Sequence, residues 1–317
     1  MKASPGLALT LPLLIGLLTG CAPRGTVLGP ANPATGGPDQ AEVASELAAN
    51  PSLVDDEVSA APDQTSLESG APAAGVAGTM SAEAAIQPLT FWREIRDIQR
   101  RFEFAFADTD STGRPTTAIV TVHKLFAGSF NILVADPVAD GSPPSSHVIH
   151  KPLADHGVRR VLLKRVRLPE SERRVWRVVA TSGIRITSRD ATTRIDSLRI
   201  QSGALDTTIT DPLAFFRLRA MLTLDPLADV TLTVTTQSDD DVVLLYLRDQ
   251  RVRFSHSGPD TYTITFRVPD GAGLHHVGVN ALSNGTLFDD AAPYDSQSWI
   301  EPYLVHPLEL AAGTPLD

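Results

Sequence analysis

Three groups of residues have types and spacings that bear on chemistry. The stretch Asp108-Thr109-Asp110-Ser111-Thr112-Gly113 spaces its oxygens like the opening of a calcium loop. Such a loop closes on a glutamate at its twelfth position and lies between helices, whereas Ile119 stands there and the flanks read as strands. A turn in which Asp and Ser bond local backbone and Gly113 takes positive φ is the favoured reading. Histidines form the second group. His147, His150 and His156 fall in a stretch rich in Pro and Ser, and His275 and His276 are adjacent. Zinc needs three or four convergent ligands on rigid elements, and neighbours in a strand point to opposite faces. The third is Thr181-Ser182-Gly183-Ile184, which lacks the glycine pattern of a nucleophile elbow. A phosphate loop and an H-E-x-x-H pair are missing too. The expectation is therefore no catalytic residue, no metal and no cofactor.

Two further groups suit binding. Between Val158 and Arg177 the chain is strongly basic, interrupted by Glu170 and Glu172. On a hairpin, Arg165, Arg167, Arg174 and Arg177 would share a cationic face that could meet an anionic polymer such as a polysaccharide. The simpler reading is edge arginines whose stems cover apolar surface and whose charge discourages edge pairing. From Gly285 to Tyr303, Asp289, Asp290 and Asp295 mingle with Tyr294 and Trp299 in a long loop. Long loops are often functional. Carboxylates beside aromatic rings suit carbohydrate or peptide contact, and the same rings could equally pin the loop to a core.

The positioning elements begin at the N-terminus. Lys2, the apolar run Leu7 to Leu18, and small Thr19 and Gly20 form the three zones of a secretory signal. That run is too short for a transmembrane helix of roughly 20 apolar residues. Leu18-Thr19-Gly20-Cys21 resembles the lipobox of bacterial lipoproteins. The resemblance implies a signal peptide at 1–20, cleavage before Cys21 and lipidation of its sulfur and new amine. Stable anchoring takes at least two acyl chains, which this modification provides. Within that resemblance, Ala22 in place of aspartate implies an outer-membrane or surface destination in the cell envelope, on the periplasmic face or outside. Cys21 is the only cysteine, so no disulfide can form within the chain.

Residues 21–87 are rich in Ala, Gly and Pro, and past Cys21 they carry nine acids against Arg24 alone. Low apolar content with charge of one sign reads as a disordered, self-repelling tether, with a transient helix at most over Glu42 to Leu53. The net charge of −10 argues against general nucleic-acid binding. Phe91, Ile95, Ile98 and Phe102 then recur at helical spacing, with Thr90 as N-cap. Phe102, Phe104 and Phe106 alternate as in a strand, and several β-rich runs follow to Ile200. One helix on a curved antiparallel sheet, an α+β domain over 88–203, is the expectation. "FWREIRDI" and "WRVVATSGIRIT" are similar to segments of NTF2-like cones.

Residues 204–307 read as an all-β sandwich: short alternating strands separated by turn residues. The run from Ser257 to Ala281, "SGPDTYTITFRVPDGAGLHHVGVNA", resembles the late strands of bacterial immunoglobulin-like domains. Residues 308–317 read as a disordered tail. Together these features point to a membrane-anchored envelope lipoprotein acting as a non-enzymatic binding or structural module, with envelope polysaccharide or protein as partner. The alternative is a small-ligand carrier or enzyme using a cavity in the first domain.

Overall fold

A computed structural model describes residues 37–56, 58–59, 64–66, 86–136, 145–168, 173–247 and 250–306. The signal peptide, Cys21 and the 308–317 tail lie outside them. Helix α1 (Pro38–Ala49) comes first, followed by β1 (Gln64–Ser66) and four long strands. These are β2 (Pro88–Thr109), β3 (Pro115–Ala135), β4 (Ser146–Arg167) and β5 (Arg174–Ser188). Then come β6 (Ile195–Ser202), β7 (Leu205–Ile209), β8 (Phe216–Arg217), β9 (Thr223–Leu224), β10 (Asp229–Thr236) and β11 (Val242–Leu247). The chain continues through β12 (Gln250–Arg253), β13 (Ser255–Gly258), β14 (Thr261–Arg267), β15 (Gly273–Leu282), α2 (Asn284–Phe288) and β16 (Ser296–Val305).

The expected helix at the start of the first domain is strand β2, so the α+β assignment is corrected to β. The apolar spacing has a physical origin in a bulge. The register between β2 and β3 shifts between Ile95 and Asp97, so Ile95 pairs with Gly128 and Asp97 with Ala127. An extra residue turns the alternation over. Phe91 and Ile95 before the bulge, and Ile98 after it, therefore pack into the same core. Steps of four, three and four residues thus imitate a helix while describing one face of a bulged strand. Gly128 makes the bulge possible: a Cβ there would lie 1.9 Å from the Glu94 carbonyl oxygen.

Among the described residues the strands fall into two sheets. The larger runs β1-β2-β3-β4-β5-β16-β15-β11-β12, with β8 on β5 and β9 parallel to β16; the smaller runs β13-β14-β10-β6-β7. Strand β1 approaches β12, so the large sheet curls back towards itself. The expected division at 203/204 falls in the β6–β7 hairpin, where Gly203 adopts φ 55°. Both sheets carry strands from either side of it, because β16 pairs with β5 and β10 with β6. Between the sheets, Leu198, Ile200, Leu232 and Val234 meet Leu245, Val279, Trp299 and Tyr303 in one core. Alternation of these aliphatics with Thr231, Thr233 and Thr235 on β10 places one face inward. This packing is consistent with a β-sandwich.

The acidic segment is also corrected. Residues 37–56 do not form a solvated spacer: Val43, Leu47 and Val54 are buried against Val120, Val122, Leu163 and Trp176. Strands β2 to β4 exceed 20 residues and extend past the part of the sheet that faces β11 and β15; α1 covers the inward face of that overhang.

Gly128→Ala should destabilise the protein by more than about 2 kcal/mol in denaturant unfolding, because backbone cannot yield to the added methyl group. A loss below about 0.5 kcal/mol, the range of neutral surface changes, would show that the bulge is not fixed there.

Candidate functional site

The inward faces of β3 and β4 place three layers under the N-terminal segment. The outermost is apolar and seats α1. Pro38 opens this helix, Asp39 stands in its first turn, and Val43 and Leu47 share a face at i, i+4. Gly37 offers no side-chain cap at the start, while Asn50 Nδ2 donates to the Glu46 carbonyl at 2.8 Å. Glu46 sits at the negative end of the helix dipole, which alone is unfavourable. Arg177 of β5 offsets it, donating at 2.7 Å. Arg165 of β4 pairs with Asp39 and, at 3.2 Å, with Glu42, and its guanidinium lies 4.9 Å from the Trp176 ring centroid. Arg114 adds a third contact, 3.0 Å from Asp39. Exposed ion pairs contribute at most about 1 kcal/mol. The Arg165 side chain is 3% exposed, so its carboxylates are the partners that make its burial tolerable.

A layer of ion pairs lies next. The Asp56 side chain is fully buried and accepts from the Val58 and Ser59 amides, the Ser59 hydroxyl and Lys124 Nζ at 2.9 Å. Burial alone would raise its pKa, but Lys124, the Ser59 amide and the Arg159 charge hold it down to about 2. Lys124 also meets Asp55 at 2.6 Å, and Arg100 pairs with the same carboxylate. Arg159 donates to the Asp55 carbonyl at 3.0 Å and lies 3.3 Å from His276 Nε2. Val54, Val122, Lys124, Gly157, Arg159 and Ile184 close together here, leaving no space large enough for a water molecule.

The innermost layer is aromatic and polar. Phe130 stacks on Tyr294 with centroids 5.0 Å apart, and Tyr294 donates to Asp155 Oδ2 at 3.2 Å. Burial raises the Asp155 carboxyl to about 6 against the opposing pull of Arg93. Tyr246, beneath the guanidiniums of Arg93 and Arg251, donates to Asn280 at 2.9 Å. On the other face of the sheet, the side of Trp299, Tyr303 and its register partner Val277, Glu301 of β16 is raised by burial to about 8. Its carboxylate lies 2.5 Å from where a Cβ on Gly183 would stand.

The expected site residues are scattered among structural duties. Of the acidic-aromatic group, Trp299 is in the sandwich core and Tyr294 in the inner layer. Asp295 accepts from the Thr192 and Thr193 amides at 3.1 and 3.2 Å. Asp289 and Asp290 remain near the surface, with the Asp289 carbonyl accepting from Lys151 at 2.7 Å. Of the cationic group, Arg165 and Arg177 face α1, Arg174 meets Asp110 at 3.3 Å, and Arg167 is exposed. The basic face is thus matched by the acids of α1, a match detectable as Asp39, Glu42 and Glu46 flanking Val43 and Leu47 at helical spacing. Asp110 caps the β2–β3 turn, accepting from the Thr112 and Arg114 amides. His147, His150 and His156, in the stretch rich in Pro and Ser, belong to regular strand β4. His156 stacks on His123, 2.9 Å between nitrogens. Among the described residues no three His, Cys, Asp or Glu side chains are grouped to hold a metal, and no helix is long and apolar enough to cross a membrane. No protein-family model matches the chain, and neither a curated protein nor a solved structure shows significant similarity to it.

Two predictions follow from the buried charges. Lys124→Met leaves Asp56 buried without its cation and should cost about 3–5 kcal/mol, measured by chemical unfolding; a cost under about 1 kcal/mol, typical of an exposed pair, would place the pair in solvent. Glu301 and Asp155 have raised folded-state pKa values, so the stability tied to their protonated forms is complete below about pH 4. It declines as pH rises to about 8, where Glu301 titrates. The melting temperature should therefore fall between these limits, and Glu301→Gln should flatten the decline. A variant profile parallel to that of the parent would contradict the assignment to Glu301.

Proposed function

We propose that the chain is a lipid-anchored envelope protein, a non-enzymatic binding or structural module held close to its membrane by its own N-terminal segment. The observation that carries this reading is the docking of acidic α1 on the cationic overhang through Arg165 and Arg177. With lipidation at Cys21, 16 residues separate the anchor from the first helical residue, Pro38. At roughly 3.3–3.6 Å per residue, they reach at most about 60 Å. A spacer extending to residue 87 would reach several times further. The docked helix therefore shortens the leash and sets which end of the sheet is nearest the bilayer. The polar interior is filled by packed rings, and the resemblance to a lipobox supplies the address: the outer membrane.

Cys21→Ser should move the protein from the membrane to the soluble envelope fraction. Retention of the variant on membranes washed in high salt would show that something other than the lipid holds it.

A further inference from the structure

The seat of α1 has the composition of a ligand site. Its floor is apolar, made of Val120, Val122, Val161, Leu163 and Trp176, all at most 2% exposed. Its rim is cationic, with Arg114, Arg165 and Arg177 on three strands or turns of one sheet. What fills it is an amphiphile of matching character: Val43 and Leu47 enter the floor while Asp39, Glu42 and Glu46 meet the rim. The occupant is held lightly. Twelve residues are about the length at which an isolated helix is marginal in water. Its N-cap lacks a side-chain acceptor, and only two of its side chains are buried hydrophobics.

We propose that this seat binds an anionic lipid, one carrying a phosphate or carboxylate head, and that α1 is its displaceable internal substitute. The head takes the place of the α1 carboxylates on Arg165 and Arg177, since guanidinium pairs such oxyanions in bidentate fashion. The acyl chain takes the place of Val43 and Leu47 on the apolar floor. Arg165 keeps a counter-charge throughout, so neither state leaves a buried cation alone. Displacement also undocks the segment that precedes Asp55, which lengthens the leash. This inference rests on the proposed anchoring only for bringing the seat near a bilayer; lipid binding is measured without the anchor, so either can fail alone.

The test uses the full chain carrying Cys21→Ser, titrated calorimetrically with dodecyl phosphate below its micellar concentration, with hydrogen exchange of the α1 amides followed in parallel. Saturable binding at one site, with loss of α1 protection, is expected. Leu47→Glu, which weakens the internal occupant, should tighten binding about fivefold or more, and Arg165→Gln with Arg177→Gln should weaken it about tenfold, roughly one charge-assisted contact. If that double variant does not fold, Arg114→Gln at the exposed rim should still weaken binding severalfold. The proposal is overturned by equal binding of dodecyl maltoside, by equal binding of inorganic phosphate, or by binding that leaves α1 protected. It is overturned equally if Leu47→Glu leaves affinity unchanged or forms dimers through the vacated seat.

Discussion

The structure depends on one buried pair, Asp56 with Lys124. Two opposite charges removed from water are tolerated only where hydrogen bonds complete both of them. Asp56 meets that condition by accepting from two amides and a hydroxyl of its own turn as well as from Lys124. The turn therefore folds around the carboxylate, and the carboxylate ties the turn to β3. With Asp55, Asp56, Val58 and Ser59 placed there, the preceding helix α1 lies over the overhang, where Val43 and Leu47 pack. Val58, on the other side of the pair, joins the aromatic core. The pair is the point at which the N-terminal segment becomes part of the sheet's interior.

Curling of the large sheet explains why charges lie inside at all. A strand that alternates Ala118, Val120, Val122, Lys124 and Phe126 on its inward face is apolar everywhere except at Lys124. On β4 the matching inward positions are Leu163, Val161, Arg159 and Asp155. Lys124 and Arg159 meet Asp55 and Asp56 side-chain or carbonyl oxygens from the N-terminal segment, and Asp155 accepts from Tyr294 of the loop before β16. The interior is thus completed by late and early parts of the chain. Small residues make room where backbones or carboxylates approach closely, as Gly128 does at the bulge and Gly183 beneath Glu301.

Much of the strand pattern was legible in the residues. Threonine-aliphatic alternation marks β10 and β14, and the turn at Pro259-Asp260 separates β13 from β14. The β2 bulge was not legible, because one inserted residue converts a period of two into steps of four and three that imitate a helix. Nor was the continuity of the two halves: pairing of β16 with β5, more than 100 residues apart, is a long-range choice that local pattern does not encode. The acids of the N-terminal segment read as repelling one another because their partners, Lys124, Arg165 and Arg177, are distant in sequence. The surroundings of the candidate loop were not legible either. Tyr294, Asp295 and Trp299 have the types of a binding surface, yet packing and backbone amides claim all three.

Native-state hydrogen exchange across residues 38–59 of the full chain tests most directly whether this segment is part of the fold. The amides of Val58 and Ser59, bonded to Asp56, should be strongly protected, those of Val43 and Leu47 measurably so, and Lys124→Met should remove protection from all four. Exchange of these amides at the rate of an unfolded chain, in the parent protein, would contradict a docked segment and return it to a free tether.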